Sequence, residues 1–154
     1  MAHHKLTPDV AGELGDATEL DRSVHPPRVQ RFAYVIDNWL GDDLLEAYPT
    51  FMVTENLVGP LDGSELSGYE IRQAEVTIEE EARETLSMIG RAEFPDFRWL
   101  HVVGKAGRDD FGLTATGDLV VSERALNVLR QRQLSRCDID EYRTDDAHRA
   151  NPRE

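Results

Sequence analysis

The feature that most constrains the fold of this chain is a duplicated segment. A shift of 68 positions lays residues 51–71 on residues 119–139 without a gap. Each copy has a short apolar run, a hydroxyl residue, a glutamate and then apolar residues at helical spacing, which predicts a strand, a helix, a turn and a second strand. Such a unit cannot bury its own apolar face. The two copies are therefore expected to pack on each other or on a shared sheet.

The hydroxyl residues of the two copies, Thr54 and Ser122, are predicted to be helix N-caps. A side-chain oxygen at this position accepts a hydrogen bond from a backbone N–H of the first helical turn. The glutamates that follow, Glu55 and Glu123, place negative charge at the positive end of each helix. Ser122 invites a search for a catalytic serine, but no Gly-x-Ser-x-Gly elbow occurs. Its duplicate at Thr54 favours the cap.

The first half of the chain predicts several further elements. Residues 28–37 read as an interior strand, and Asp42 or Asp43 as the cap of a short helix over residues 44–48. The helix of the first copy is expected to have one or two turns only, because Gly59-Pro60 interrupts it. An extended segment over residues 68–78 should bend near Gln73.

The second half predicts one amphipathic helix and then the second copy of the unit. Thr77 and Glu80 have the spacing of a capping box for a helix over residues 79–89, with Ala82, Leu86 and Ile89 facing inward. Strands are expected over residues 97–103 and 111–113. The helix of the second copy is expected over residues 123–133, before a closing strand over residues 137–142.

These elements predict an α+β fold. It has a mixed β-sheet, two pseudo-repeated strand–helix–strand units over about residues 50–72 and 118–140, and one additional amphipathic helix. Residues 29–143 would form a single domain. Residues 1–28 lack sustained periodicity and are expected to form a flexible N-terminal arm, and residues 144–154 a disordered tail.

Charge and cysteine content limit the classes of function. The chain has 17 basic and 30 acidic residues, a net charge of −13. This argues against binding to nucleic acid or to an anionic membrane, and fits either a cationic protein partner or simple solubility. The single cysteine, Cys137, excludes an internal disulfide and a multi-cysteine zinc site, and is expected to be a small core residue in a reducing compartment. No apolar run is long enough to span a membrane, so the cytoplasm is expected.

Two surfaces are candidates for partner binding, and no catalytic residue, cofactor site or metal site is predicted. One is the acidic face of the helix over residues 79–89, which alternatively is only a solvated face. The other is the charged loop over residues 105–110, which alternatively is a structural turn. His101 is expected to face the core or to be hydrogen-bonded, and Trp39 and Trp99 are expected to pack in the core rather than to anchor an interface. The candidate residues are Glu79, Glu80, Glu84, Lys105, Arg108, Asp109 and Asp110.

Several of these segments carry a resemblance to a known group of proteins. The run Val-Val-Ser-Glu-Arg-Ala-Leu at residues 120–126, followed by Leu134-Ser135 and a short strand, resembles a signature of small bacterial immunity-protein-like families that are encoded beside secreted polymorphic toxins. Residues 53–55 look like a weaker first copy, and residues 97–100 with 107–113 resemble the middle of the group. The resemblance covers about residues 30–142.

The resemblance implies binding and neutralising a cognate toxin by occlusion, with no catalytic residues to carry over. One related group has paired Cys-x-x-Cys sites, so the single cysteine of this chain excludes a zinc-bearing version. Gly59-Pro60 also departs from the expected helix. Many toxin domains are basic, and the acidic balance fits them.

The expected function is therefore that of a non-enzymatic acidic binding protein. Two alternatives stay open at this stage. One is a small-molecule-binding or enzymatic domain with a cleft between the repeat halves. The other is a structural or adaptor subunit of a larger assembly.

Overall fold

The computed structural model describes residues 2–143 and has the predicted α+β fold with mixed strand pairing. The helices are α1 (Glu55–Asp62), α2 (Glu80–Met88) and α3 (Glu123–Leu129). The strands are β1 (His3–Thr7), β2 (Gly12–Leu14), β3 (Glu19–Asp21), β4 (Arg28–Arg31), β5 (Ala33–Ile36), β6 (Leu44–Ala47), β7 (Thr50–Thr54), β8 (Tyr69–Arg72), β9 (Glu75–Ile78), β10 (Phe97–Val102), β11 (Phe111–Leu113), β12 (Leu119–Ser122) and β13 (Asp138–Tyr142). They form several sheets rather than one shared sheet.

Two four-stranded antiparallel sheets have the same topology, which confirms the duplication. Their strand orders are β11-β12-β1-β13 and β6-β7-β10-β8, so each consists of a hairpin, a strand from elsewhere in the chain and the strand that follows a helix. The registers also agree. Leu100 lies between Phe51 and Ile71, while Leu6 lies between Leu119 and Ile139. A shift of 68 residues takes Phe51 to Leu119 and Ile71 to Ile139, so the neighbours of the two leucines are equivalent.

The two repeats exchange their first strands. In chain order one repeat is β1, β6, β7, α1 and β8, and the other is β10, β11, β12, α3 and β13. Yet β1 is a central strand of the second repeat's sheet and β10 is a central strand of the first repeat's sheet. The residues that follow each first strand contact the hairpin of their own repeat. Asp9, after β1, forms a parallel bridge with Leu45, and Lys105, after β10, forms one with Leu113.

This exchange shows that the prediction of a flexible N-terminal arm over residues 1–28 is wrong for the residues described. Strand β1 pairs with β12 on one side and with β13 on the other, and Leu6 is only 2% exposed. Residues 12–14 and 19–21 add the strands β2 and β3. The sequence signal was weak because four of the five β1 residues are polar. Backbone pairing on both edges orders the strand without apolar alternation.

Sheet β6-β7-β10-β8 separates two hydrophobic clusters. The first lies between this sheet and the sheet of β1, and both α1 and α3 contribute to it. The second lies on the opposite face, beneath the three-stranded sheet β2-β5-β9 and α2. Strand β10 serves both, because Leu100 and Val102 face the first cluster and Phe97 and Trp99 the second. This two-sided burial explains why both alternation phases of β10 are apolar.

Cys137 packs partly buried against the first cluster. Burial raises the pKa of its thiol to about 12. A thiol with so high a pKa holds little of the reactive thiolate at neutral pH. Its interpretation as a core residue rather than a nucleophile fits this environment.

Three local predictions need correction. The helix expected over residues 44–48 is wrong: these residues form β6, whose pairing with β7 supplies more hydrogen bonds than one helical turn would. The Thr77–Glu80 capping box is wrong because Thr77 belongs to β9, and α2 starts without a side-chain cap at Glu79. Helix α3 ends at Leu129 rather than at residue 133.

Other local predictions are confirmed. Helix α1 has about two turns with Pro60 inside it, and the extended segment breaks between β8 and β9, at residues 73–74. The tail expected over residues 144–154 lies outside the described residues. Within residues 2–143 no helix is long and apolar enough to cross a membrane.

Candidate functional site

Two pairs of adjacent aspartates occupy equivalent places in the repeats. Asp42-Asp43 precedes β6 and Asp109-Asp110 precedes β11. In each repeat the backbone oxygen of the second aspartate accepts from the residue that ends the partner strand, so Thr54 N donates to Asp43 O and Ser122 N to Asp110 O, both at 2.9 Å. The adjacent carboxylates of the charged loop in the second repeat therefore have a counterpart in the first.

Asp110 joins the two repeats. Its Oδ1 accepts from Ser122 Oγ at 2.6 Å, and its Oδ2 accepts from Ser67 N at 2.9 Å and from Arg124 Nη2 at 3.0 Å. Burial raises the pKa of Asp110, but the hydrogen bonds from Arg124, Ser122 and the Ser67 backbone, with the charge of Arg124, outweigh burial and lower the pKa to about 2. The carboxylate is therefore held ionised.

Asp43 makes the corresponding connection in the other direction. Its Oδ1 accepts from Thr54 Oγ1, and its Oδ2 accepts from Gln133 N at 2.9 Å, in the turn after α3. Asp42 binds the same turn, through Ser135 N at 3.0 Å and Arg136 N at 2.8 Å. Each repeat thus uses a buried carboxylate to satisfy backbone N–H groups of the other, as buried polar groups require.

The predicted caps have different outcomes. Ser122 Oγ accepts from Ala125 N at 3.1 Å, so the cap of α3 is confirmed. Thr54 occupies the N-cap position of α1, but its hydroxyl donates to Asp43 and makes no cap hydrogen bond, so its predicted cap is wrong. Because Ser122 is fully buried and bonded to both Asp110 and the helix, it has the environment of a structural residue.

The charged loop over residues 105–110 divides into a buried part and an exposed part. Asp110 is 8% exposed with both carboxylate oxygens bonded, so its assignment to a partner surface is corrected. Asp109 Oδ2 accepts from Lys105 N at 2.7 Å and closes the turn. The side chains of Lys105 and Arg108 are exposed, and within residues 2–143 neither makes an ion pair.

The acidic face of α2 is a surface separate from this loop. Ala82 and Leu86 face the second cluster, which leaves Glu79, Glu80 and Glu84 exposed. None of these three carboxylates has a cation partner in the part of the chain that the structure describes. The loop instead leads into β11, whose Phe111 belongs to the first cluster, so the two candidate surfaces lie beside different hydrophobic clusters and are separate.

The remaining singled-out residues are placed as follows. Trp39 and Trp99 are buried in the second cluster, as predicted. Trp39 Nε1 donates to Asp42 O at 2.8 Å, and Trp99 Nε1 donates to Thr50 Oγ1 at 2.9 Å. His101 is partly exposed at the end of β10, with its Nδ1 3.3 Å from Glu70 Oε1 and its ring 4.8 Å from the Trp99 ring.

The structure adds a cleft that the sequence did not indicate. It has a volume of about 490 Å³ and is bounded by residues 24–29, residues 49–50 of the β6–β7 hairpin, residues 101–104 and Leu113. Both repeats therefore contribute to it, together with the segment between β3 and β4. His25, Arg28 and His101 are its ionisable residues. His25 and Arg28 lie within residues 1–28, and no site was expected there because this segment was predicted to be a flexible arm.

Comparisons with protein-family models, with curated proteins and with solved structures find no match for this chain. The resemblance to immunity-protein-like families therefore stays a prediction. Interpretation of function rests on the geometry of the acidic face, the charged loop and the cleft.

Proposed function

We propose that this protein is a non-enzymatic binding protein of the cytoplasm that holds a cationic protein partner on the acidic face of α2. We further propose that the partner is a toxin, which binding neutralises by occlusion. Lys105, Arg108 and Asp109 form the second candidate contact. The observation that carries the proposal is the set of exposed glutamates at Glu79, Glu80, Glu81 and Glu84, none of which forms an ion pair with a residue from 2 to 143.

The acidic face differs from several other acidic positions of the fold. Some glutamates on or beside the strands have cationic neighbours, such as Arg31 with Glu75 at 2.6 Å and Arg98 with Glu55 at 3.3 Å. On α2 the like charges of Glu80 and Glu84 stand four residues apart, a spacing that destabilises a helix. A cationic partner would relieve this repulsion, and a negative surface of this kind speeds association with a basic protein.

The test measures binding of the product of the neighbouring gene before and after charge reversal. We expect a one-to-one complex whose association slows as salt rises. The variant Glu80→Lys/Glu84→Lys should slow association by about tenfold or more at low salt. The matched control is Asp138→Lys/Glu141→Lys, which makes the same change in net charge at exposed positions of β13.

The outcomes separate the partner from the surface. If the neighbouring product forms no complex with the unaltered protein, the toxin-neutralising proposal fails. If both double variants slow association equally, net charge alone acts, and the α2 face is not the contact. Stopped-flow association at two salt concentrations distinguishes these results.

The cleft favours a second candidate function, the binding of a small molecule between the two repeats. Its volume of about 490 Å³ lies within the range of about 300–1,000 Å³ that is typical of ligand sites. This function does not need the α2 face, so the two candidates stand or fall separately.

A further inference from the structure

The charge of the cleft is opposite to that of the chain. The protein has 30 acidic and 17 basic residues, yet none of the described residues that line the cleft is acidic. The ionisable lining residues are Arg28 and the histidines His25 and His101. In a protein with a net charge of −13, a concave site lined by an arginine and by no acidic residue repels an anion less than an acidic face does, although Glu70 lies beside His101 and Asp21 beside Arg28.

The positive charge at this site comes from Arg28, whose guanidinium is ionised at every physiological pH. Arg28 is exposed and makes no ion pair with any residue from 2 to 143. Asp21 lies opposite it in the β3–β4 ladder; the hydrogen bonds from Ser23 lower the pKa of the Asp21 carboxyl, and the charge of Arg28 adds to this effect. The Arg28 side chain forms no hydrogen bond with any residue from 2 to 143, so its N–H groups can donate to a ligand.

Apolar side chains form a large part of the walls of the cleft. Val29 and Val102 are buried within it, and Pro26 and Pro49 add rigid rings. Exposed apolar side chains collect at the same place: Val24 is 39% exposed and Val103 is 55% exposed, and both line the cleft.

Tyr48 extends this apolar rim. It is 47% exposed and adjoins Pro49 in the β6–β7 turn. A Cβ atom built on Gly117 would lie 2.9 Å from the Tyr48 ring and 3.4 Å from Pro26 Cβ, so both side chains border the same glycine. Of the five large apolar side chains that are exposed among the described residues, two line the cleft and a third, Tyr48, borders it, and a binding site is the usual explanation of such a cluster.

We propose that the cleft binds a small organic oxyanion with an apolar body, such as an aromatic carboxylate. Arg28 pairs with the oxyanion, since a planar guanidinium matches the two oxygens of a carboxylate. Val24, Val103 and the proline rings cover the apolar body. An inorganic anion would leave these apolar walls in contact with water. This inference rests on the second candidate function, small-molecule binding in the cleft, and the site shares no residue with the proposed protein-binding surfaces.

The test is an NMR titration of the full chain with two probes of the same shape, 1-naphthoate and the neutral 1-naphthamide. We expect naphthoate to shift the backbone amide signals of Thr50 and of residues 101–104, and to bind about tenfold more tightly than the amide. Arg28→Gln should lower the affinity for naphthoate to that of the amide. Arg83→Gln, which removes an exposed charge from α2, should leave it unchanged. Val103→Asp should weaken both probes.

The proposal is overturned if naphthoate and naphthamide bind equally, because the charge then contributes nothing. It is also overturned if Arg28→Gln and Arg83→Gln have the same effect, or if the shifted signals lie outside the cleft. Arg28, Arg83 and Val103 are all exposed, so these variants retain the core, and the dispersion of the amide spectrum checks that they fold. None of these outcomes bears on binding at the α2 face.

Discussion

Asp43 and Asp110 each connect a strand of one repeat to the turn that follows the helix of the other. In the sequence, Asp109-Asp110 has the appearance of a charged surface loop. In the structure Asp110 is a buried carboxylate with three kinds of donor: a hydroxyl, a backbone N–H and a guanidinium. Removing one hydrogen-bonding partner of such a buried carboxylate lowers the free energy of unfolding by more than an exposed surface charge contributes to it.

The lowered pKa of Asp110 predicts a pH-dependent contribution to stability. The folded-state pKa is about 2, against an ordinary value of 3.8. The ionised carboxylate therefore stabilises the fold above pH 3.8, and this contribution is lost as the pH falls toward 2. We expect Asp110→Asn to lower the free energy of unfolding by about 2 kcal/mol near neutral pH.

Urea denaturation of Asp110→Asn and of the unaltered protein at a series of pH values measures this difference. The difference should shrink as the pH falls from 3.8 toward 2. A difference that stays constant with pH would show that the lost contact is steric rather than ionic. Asp109→Asn, which makes the same substitution at the partly buried neighbouring position, is the matched control.

Ser122 makes a second prediction at this scale. Ser122→Ala removes the acceptor for Ala125 N and the donor to Asp110 Oδ1. We expect a loss of about 1–3 kcal/mol in the free energy of unfolding, since a cap and a buried charged hydrogen bond are both lost. Ser135→Ala removes an exposed hydroxyl as a control and should change stability by less than about 0.5 kcal/mol. Equal effects of the two variants would contradict the cap.

At the scale of elements, β1 is the strand on which the interpretation of the N-terminal region depends. Leu6 occupies in its sheet the position that Leu100 occupies in the other. Leu6→Ala and Leu100→Ala should therefore both lower the free energy of unfolding by about 2–5 kcal/mol, as large-to-small changes in a core do. Val10→Ala, at an exposed site in the same region, is the control. A neutral Leu6→Ala would mean that β1 does not belong to the fold.

The difference between what could be predicted and what could not also lies at this scale. The second and later elements of each repeat share an apolar pattern, so residues 51–71 and 119–139 could be aligned. The first strands share only a leucine, Leu6 or Leu100, because Leu6 is the one apolar residue of β1 while β10 is buried on both faces. The sequence pattern of β1 does not identify it as a strand. Its strand structure depends on backbone pairing with residues that lie more than 100 positions away in the chain.

The aspartate pairs escaped the alignment for a different reason. Asp42 and Asp109 are 67 positions apart, one fewer than the repeats that follow. The β6–β7 turn contains Tyr48 and Pro49, whereas the β11–β12 connection spans residues 114–118. The cleft could not be predicted because the connections between elements, not any local motif, bring its lining segments together.

At the scale of the whole molecule, exchange of the first strands makes the two repeats dependent on each other. Neither repeat contains all the strands of its own sheet, because β1 and β10 each complete the other's. The contacts between the repeats contribute to stability, and the proposed binding surfaces lie outside these contacts. The aspartates, Ser122 and the paired helices hold the repeats together, and the α2 face and the cleft are the proposed binding surfaces.

The measurement that tests this account most directly is fragment complementation. The chain is divided within residues 91–96, between α2 and β10, and the two fragments are studied alone and mixed. Exchange predicts that neither fragment folds as a monomer, since each lacks a central strand of its sheet, and that mixing yields a one-to-one complex with the amide NMR spectrum of the intact protein. A stable, folded monomer of either fragment would contradict it.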